Sequence, residues 1–163
     1  MTSRTLKLAA AFVLFCLSAL PFAARAAAQT LGVAAVVLSK NTCQFNNPKS
    51  ATLAFGNLDP LNPVDVTVNA TLRFVCRGSD PIATFLISDN DGLHESGPNG
   101  NRMQHATNPA AYLPYSITLS PQTGNAPKNV NQTLTVSGTV LGSDYQTALA
   151  GNYADTVTIL IQP

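Results

Sequence analysis

From Val64 to Cys76 the chain alternates with a period of two. Val64, Val66, Val68, Ala70, Leu72, Phe74 and Cys76 hold the even positions, and Asp65, Thr67, Asn69, Thr71 and Arg73 hold most of the odd ones. Such a pattern sets one row of side chains on a core and the other in water, as in a strand of a sheet covered on one face. It also places the Cys76 sulfur on the core face. Thr133 to Val140 repeats the pattern, with Leu134, Val136 and Val140 on one side and Thr133, Thr135, Ser137 and Thr139 on the other. Tyr153 to Gln162 alternates too, with Tyr153, Val157, Ile159 and Ile161 on one side. Shorter runs occupy Ile82–Ser88 and Tyr112–Leu119. Asp89-Asn90-Asp91-Gly92, read as a hairpin turn, Asn99-Gly100 and Gln122-Thr123-Gly124-Asn125 supply turn chemistry between them. No window carries a helical period. Short strands separated by turn signals predict an all-β sandwich.

The N-terminus is read apart from this fold. Arg4 and Lys7 precede an almost wholly apolar stretch from Leu8 to Ala24, and Ala24-Arg25-Ala26 and Ala26-Ala27-Ala28 are both small-x-small cleavage sites. Residues 1–28 are therefore expected to be a secretory signal peptide, cut after Ala26 or Ala28. The apolar run is short for a membrane anchor and small residues follow it at once. Bulky Phe15 argues against lipid attachment at Cys16. No second long apolar run exists, so the mature chain is not expected to span a membrane.

Export bounds the rest. Cys16 leaves with the signal, and the remaining pair, Cys43 and Cys76, is expected to be oxidised in a disulfide-forming compartment. Loss of Arg4, Lys7 and Arg25 from nine basic residues leaves six against eight acids, a mature net charge of about −2. No basic patch for nucleic acid or anionic lipid follows from that composition. The sequons Asn69-Ala70-Thr71 and Asn131-Gln132-Thr133 are read as chance matches.

The segment Thr30-Leu31-Gly32-Val33-Ala34-Ala35-Val36-Val37-Leu38 has no charge and is apolar on both faces. A free tail of this kind is an aggregation hazard in a secreted protein, so it needs a place of burial. It is either the first strand of its own domain or a strand for another copy.

Several pieces, in order, carry a family resemblance: the apolar N-terminal strand followed by Cys43, Leu53-Ala54-Phe55-Gly56 with Asp59-Pro60, Phe74-Val75-Cys76, Tyr115, and the ending Gly151-Asn152-Tyr153-Ala154-Asp155-Thr156-Val157-Thr158-Ile159. The chain resembles the spore coat protein U-like domain of bacterial pilus subunits assembled by an archaic chaperone–usher system. The loop Asp89 to Ala111 carries little of that pattern. The resemblance implies an incomplete immunoglobulin-like sandwich that lacks its last strand. It also implies a periplasmic chaperone that first fills the open groove, and an outer-membrane usher. There the N-terminal strand of a neighbouring subunit replaces the chaperone by strand addition. The sequence stops directly after the Tyr153 strand, which fits a missing strand. On this reading residues 29–41 are donor strand and linker, and 42–163 the pilin-like domain. Leu31, Val33, Ala35 and Val37 form one candidate inserted face, and Gly32, Ala34, Val36 and Leu38 the other; the first offers more apolar bulk. The implied role is a structural subunit of an extracellular pilus, exported through the periplasm, that supports adhesion or biofilm formation. The alternative is a self-contained exported adhesin or coat-type binding sandwich.

Catalysis finds little support. His94 and His105 are the only histidines, and their Gly/Asn/Pro-rich surroundings predict solvated loop residues rather than an acid–base or metal pair helped by Glu95. The mature chain has no G-x-S-x-G and no phosphate loop. Asp89-Asn90-Asp91-Gly92 departs from an EF-hand, whose twelfth position would fall on Gly100. Tyr112 and Tyr115 are assigned to core packing and an inter-strand ladder. Neither a cofactor nor a metal is expected.

Overall fold

Alternation becomes pairing in the longest strand. In the computed structural model, which describes residues 32–163, β2 (Val66–Gly78) lies between β1 (Asn41–Phe45) and β8 (Asn131–Val140), and β6 (Ser116–Ser120) closes the antiparallel sheet in the order β1-β2-β8-β6. The even residues Leu72, Phe74 and Cys76 of β2 and the even residues Leu134 and Val136 of β8 are buried. They face a second sheet, in the order β10-β3-β7, made of β3 (Ile82–Asp89), β7 (Thr123–Pro127) and β10 (Ile159–Gln162). Ala83, Phe85, Ile87 and Ala126 complete that core, and the Phe74 and Phe85 rings meet edge to face at 4.9 Å. A side chain as fully buried as Phe74 or Ile87 contributes about 1.5–3 kcal/mol from apolar transfer.

A third sheet, β5-β4-β9, combines β5 (Tyr112–Pro114), β4 (Arg102–His105) and β9 (Tyr153–Ala154). Under it Leu113, Tyr115, Val140 and Tyr145 form a second cluster. Tyr145 belongs to the one-turn helix α1 (Gly142–Tyr145), and its hydroxyl bridges the Val64 N–H and C=O at 2.8 Å each. The architecture is an all-β sandwich, as the sequence predicts. Residues 37–163 form one compact unit; the expected signal peptide (residues 1–28), Cys16, Thr30 and Leu31 lie outside the described residues.

Several boundaries differ from the sequence expectation. Tyr112–Leu119 is two strands, because the chain crosses from β4 to β8 at Tyr115. Tyr153–Gln162 is interrupted at residues 155–158, where a loop replaces a strand as its neighbour. After a bend at Gln122, Thr123–Asn125 begin strand β7 rather than a turn, since pairing of Phe85 with Gly124 and Leu86 with Thr123 outweighs turn propensity. Asp89–Gly92 turns the chain, but not as a hairpin: β3 pairs with β10 and β7, and the chain goes on to β4 in another sheet. The alternating run at Val64 becomes a strand only from Val66, because Tyr145 holds the Val64 backbone.

Candidate functional site

The site follows from what the C-terminal segment lacks. Along one side it is covered throughout. Ala154 pairs with Gln104, and Leu160 and Gln162 with Ser88 and Leu86. Between them the loop after β3 serves as a substitute strand: Leu93 N–H donates to Thr156 O at 3.1 Å and Asn90 N–H to Thr158 O at 3.2 Å. Antiparallel alternation then fixes the other side. Even residues spend their backbone groups on β3, β4 and the loop. The odd residues Tyr153, Asp155, Val157, Ile159 and Ile161 turn their N–H and C=O the opposite way, where β9 and β10 are both edges of their sheets. The same odd residues are partly buried and send their side chains inward.

Opposite this edge runs Lys49–Leu58, which has no strand assignment. Leu53 and Phe55 point in and pack over β8. Gly138 makes that possible: a Cβ there would sit 2.8 Å from Leu53 Cδ1 and 3.0 Å from Phe55 Cζ. Between the two walls lies a groove of about 510 Å³, floored by Ala70, Leu72, Ile117 and Val136. It continues, through Leu53, Phe55, Met103 and Tyr153, into a second hollow of about 530 Å³ reaching Leu58, Ala148 and Leu149. The trench is therefore apolar below and bordered by backbone that is unpaired among the described residues, which is what an extended apolar segment needs. The edge Tyr153–Ile161 spans nine residues, about 27 Å at strand rise.

The middle of the edge is held by a buried carboxylate. Asp155, with its side chain only 2% exposed, accepts from the Tyr115 hydroxyl at 2.7 Å, from Leu93 N–H at 3.0 Å and from His94 Nδ1 at 3.0 Å. Gly92, at φ +91°, lets the loop come this close, since any Cβ there would overlap the carboxylate. Burial, and then the bond to Asp155, push the Tyr115 phenol far above its ordinary range. Tyr115, Asp155 and His94 are thus engaged with one another, and the phenol is held protonated; the trio is a clamp on the edge rather than a source of nucleophile. Asn101, whose backbone carbonyl accepts from Tyr115 N–H at 3.1 Å, is buried beside it.

His105 corrects the sequence reading of both histidines as solvated. It is buried, its Nε2–H donates to Ala150 O at 3.2 Å, and Nδ1 accepts from Thr107 and Asn108 N–H at 3.2 and 3.1 Å. Those partners assign the neutral Nε2–H tautomer. His94 is partly exposed and tied to Asp155, and Glu95 belongs to neither histidine's contacts. Loop composition concealed both partners, because they come from residues 150 and 155. Tyr112 carries the Arg102 guanidinium 4.1 Å above its ring. Among the described residues no group of three or more acidic, His or Cys side chains could hold a metal, and no helix is long and apolar enough to cross a membrane.

Of the residues singled out in the sequence, Cys43 and Cys76 are directly opposed on β1 and β2 and joined by a disulfide. Val33, Ala35 and Val37 are exposed, as are Gly32, Ala34, Val36 and Leu38, and none of residues 32–38 is in a strand; Leu31 lies outside the described residues. Asp155, Gly92 and Gly138 were not singled out for these roles. A carboxylate in the otherwise apolar inner row Tyr153, Val157, Ile159 and Ile161 is the one local signal of Asp155.

No curated protein matches the chain. Among solved structures, a chain from a chaperone–tip adhesin complex described as vital for synergistic activation of CFA/I fimbriae biogenesis aligns with 76% of this chain at 11% identity and a TM-score of 0.48. This chain spans 42% of that neighbour's length. The model of the Spore Coat Protein U domain matches residues 27–160, and the protein belongs to that family.

Proposed function

We propose that the protein is a non-catalytic structural subunit of a bacterial surface pilus, and that its groove accepts the apolar N-terminal strand of a neighbouring subunit. The observation that carries this is the coincidence of an open apolar trench, edged by the outward backbone groups of Tyr153–Ile161, with an exposed apolar segment at residues 32–38. Edge and segment are complementary in length, since Thr30–Leu38 also has nine residues. Main-chain hydrogen bonds would run to the odd residues of the edge, and alternate side chains would enter the trench. Leu31, Val33, Ala35 and Val37 supply the larger apolar row. Burying it is worth at most about 5–8 kcal/mol before the main-chain bonds.

An empty trench leaves an unpaired edge and a strip of core in water, which explains a need for a periplasmic chaperone before assembly and an outer-membrane usher during it. Each subunit gives a strand at one place and takes one at another. Such head-to-tail contacts do not close and so generate a filament. Export through the periplasm to the cell surface, and support of adhesion or biofilm formation, follow from that role.

The test places a carboxylate in the strand. Val33→Asp/Val37→Asp should abolish the SDS-resistant ladder, because an ionised group in the trench costs several kcal/mol. Ser39→Asp, in the linker, should leave it intact. Full-length ladders from the double variant would overturn the proposal and favour a self-contained adhesin.

A further inference from the structure

The two ends of the sandwich carry opposite charge. The thirteen-residue strand β2 runs the length of the domain, about 40 Å. At its Gly78 end, Ser79 N–H bonds Lys40 O, Lys128 N–H bonds Pro81 O and Asn129 N–H bonds Cys76 O. Those bonds gather Lys40, Arg77 and Lys128, all exposed, against a single carboxylate, Asp80. At the Val66 end, Gly142 N–H bonds Asp65 Oδ1 and Val64 meets Tyr145, so residues 56–65 and 141–152 form one surface. It carries Asp59, Asp65 and Asp144 and no Lys or Arg. It is also apolar: Leu61 is 88% exposed and Leu149 50%. The cationic end has its own exposed apolar pair, Ile82 and Val130.

Resting on the pilus reading above, we propose that the acidic, apolar end of one copy of this chain docks against the cationic end of the next, forming a second contact outside the groove. Only Ser39 and Lys40 separate Leu38 from Asn41, the first residue of β1, at the cationic end. That tether spans at most about 11 Å, so a domain whose strand fills a neighbour's groove must abut the mouth from which its tether emerges. The groove has two mouths: one by Phe45 and Ile159, toward the cationic end, and one by Leu58 and Leu149, at the acidic end. Exit at the first would set cationic end on cationic end and ask one surface to serve both neighbours. Exit at the second matches opposite charges and repeats without closing. The contact sets which way the donor strand runs and speeds encounter between subunits.

Polymerisation of the full mature chain tests this through charge exchange. Ser143→Lys/Asp144→Lys/Gln146→Lys makes both ends cationic and leaves Asp59 and Asp65 to hold their turns. Lys40→Glu/Lys128→Glu makes both ends acidic. At low salt each variant alone should polymerise about tenfold more slowly than the parent, and an equal mixture should return to within about threefold of it. At 0.5 M salt the differences should shrink. Glu95→Lys/Thr71→Lys/Thr118→Lys, with the same added charge away from both ends, should polymerise as the parent does. Unchanged rates in both variants, a mixture no faster than its components, or an equally slow control would each overturn the end contact. Val33→Asp/Val37→Asp separates the two claims. If it blocks assembly while the charge variants do nothing, the groove reading stands and the end contact fails; if it polymerises normally, the groove reading fails first. Far-ultraviolet circular dichroism and an intact disulfide establish folding in every variant, and Asp144→Lys alone with Lys40→Glu/Lys128→Glu repeats the comparison if the triple variant does not fold.

Discussion

Two regions of this sandwich are built from the same kinds of residue and finished to different degrees. Around the disulfide, β2 is paired on both sides, β1 is cross-linked to it, and Phe74, Ile87 and Leu134 are wholly buried. Along the trench, Val157, Ile159, Leu53 and Phe55 are equally apolar yet only half-buried, and the backbone beside them is unpaired among the described residues. The difference lies in the number of neighbours. A strand between two partners can bury a full row, whereas one with a single partner keeps half of its row at the water boundary. The closed region holds the fold, and the open one holds free energy that a partner can release.

Mutations should separate the two. The largest effect belongs to the closed region: Phe74→Ala should cost about 3–5 kcal/mol in chemical denaturation of non-polymerising subunit. Replacing Cys43 and Cys76 by serine should cost about 3.5–4 kcal/mol for a sequence separation of 33, read the same way. At the border, Gly138→Val should push Leu53 and Phe55 off β8, lowering stability by about 1–3 kcal/mol and widening the trench mouth. Tyr115→Phe should cost about 2 kcal/mol by leaving Asp155 one donor short. Its phenol titrates higher folded than unfolded, so its stabilisation is complete below pH of about 10 and lost as pH rises further; the variant should flatten that alkaline loss. The smallest effect belongs to the open region: Val157→Ala should change the free subunit by less than about 1 kcal/mol while weakening capture of a donor strand.

Alternation made β2, β3 and β8 legible in the sequence, because each packs one row on a core. It could not mark β4, whose Arg102-Met103-Gln104-His105 is polar and becomes a strand only between β5 and β9. It mistook β7 for a turn, since Gly124 and Asn125 have turn propensity but face Phe85 and Thr84 across a ladder. The apolar N-terminal segment stands out as a liability, whereas an open groove is foreshadowed only by what the family resemblance implies. Its walls, floor and Asp155 clamp bring together residues from 49 to 159, and no local window contains that information.

The central claim can be read amide by amide. In the Val33→Asp/Val37→Asp chain, which keeps its groove and, on the proposed reading, does not fill a neighbour's, hydrogen exchange is followed as a synthetic Thr30–Leu38 peptide is added. The account predicts protection rising at least about tenfold at Tyr153, Asp155, Val157, Ile159 and Ile161, with little change at Ala154, Leu160 and Gln162, whose backbone groups are already bonded. Protection that ignores this parity, or none at all at saturating peptide, would contradict it.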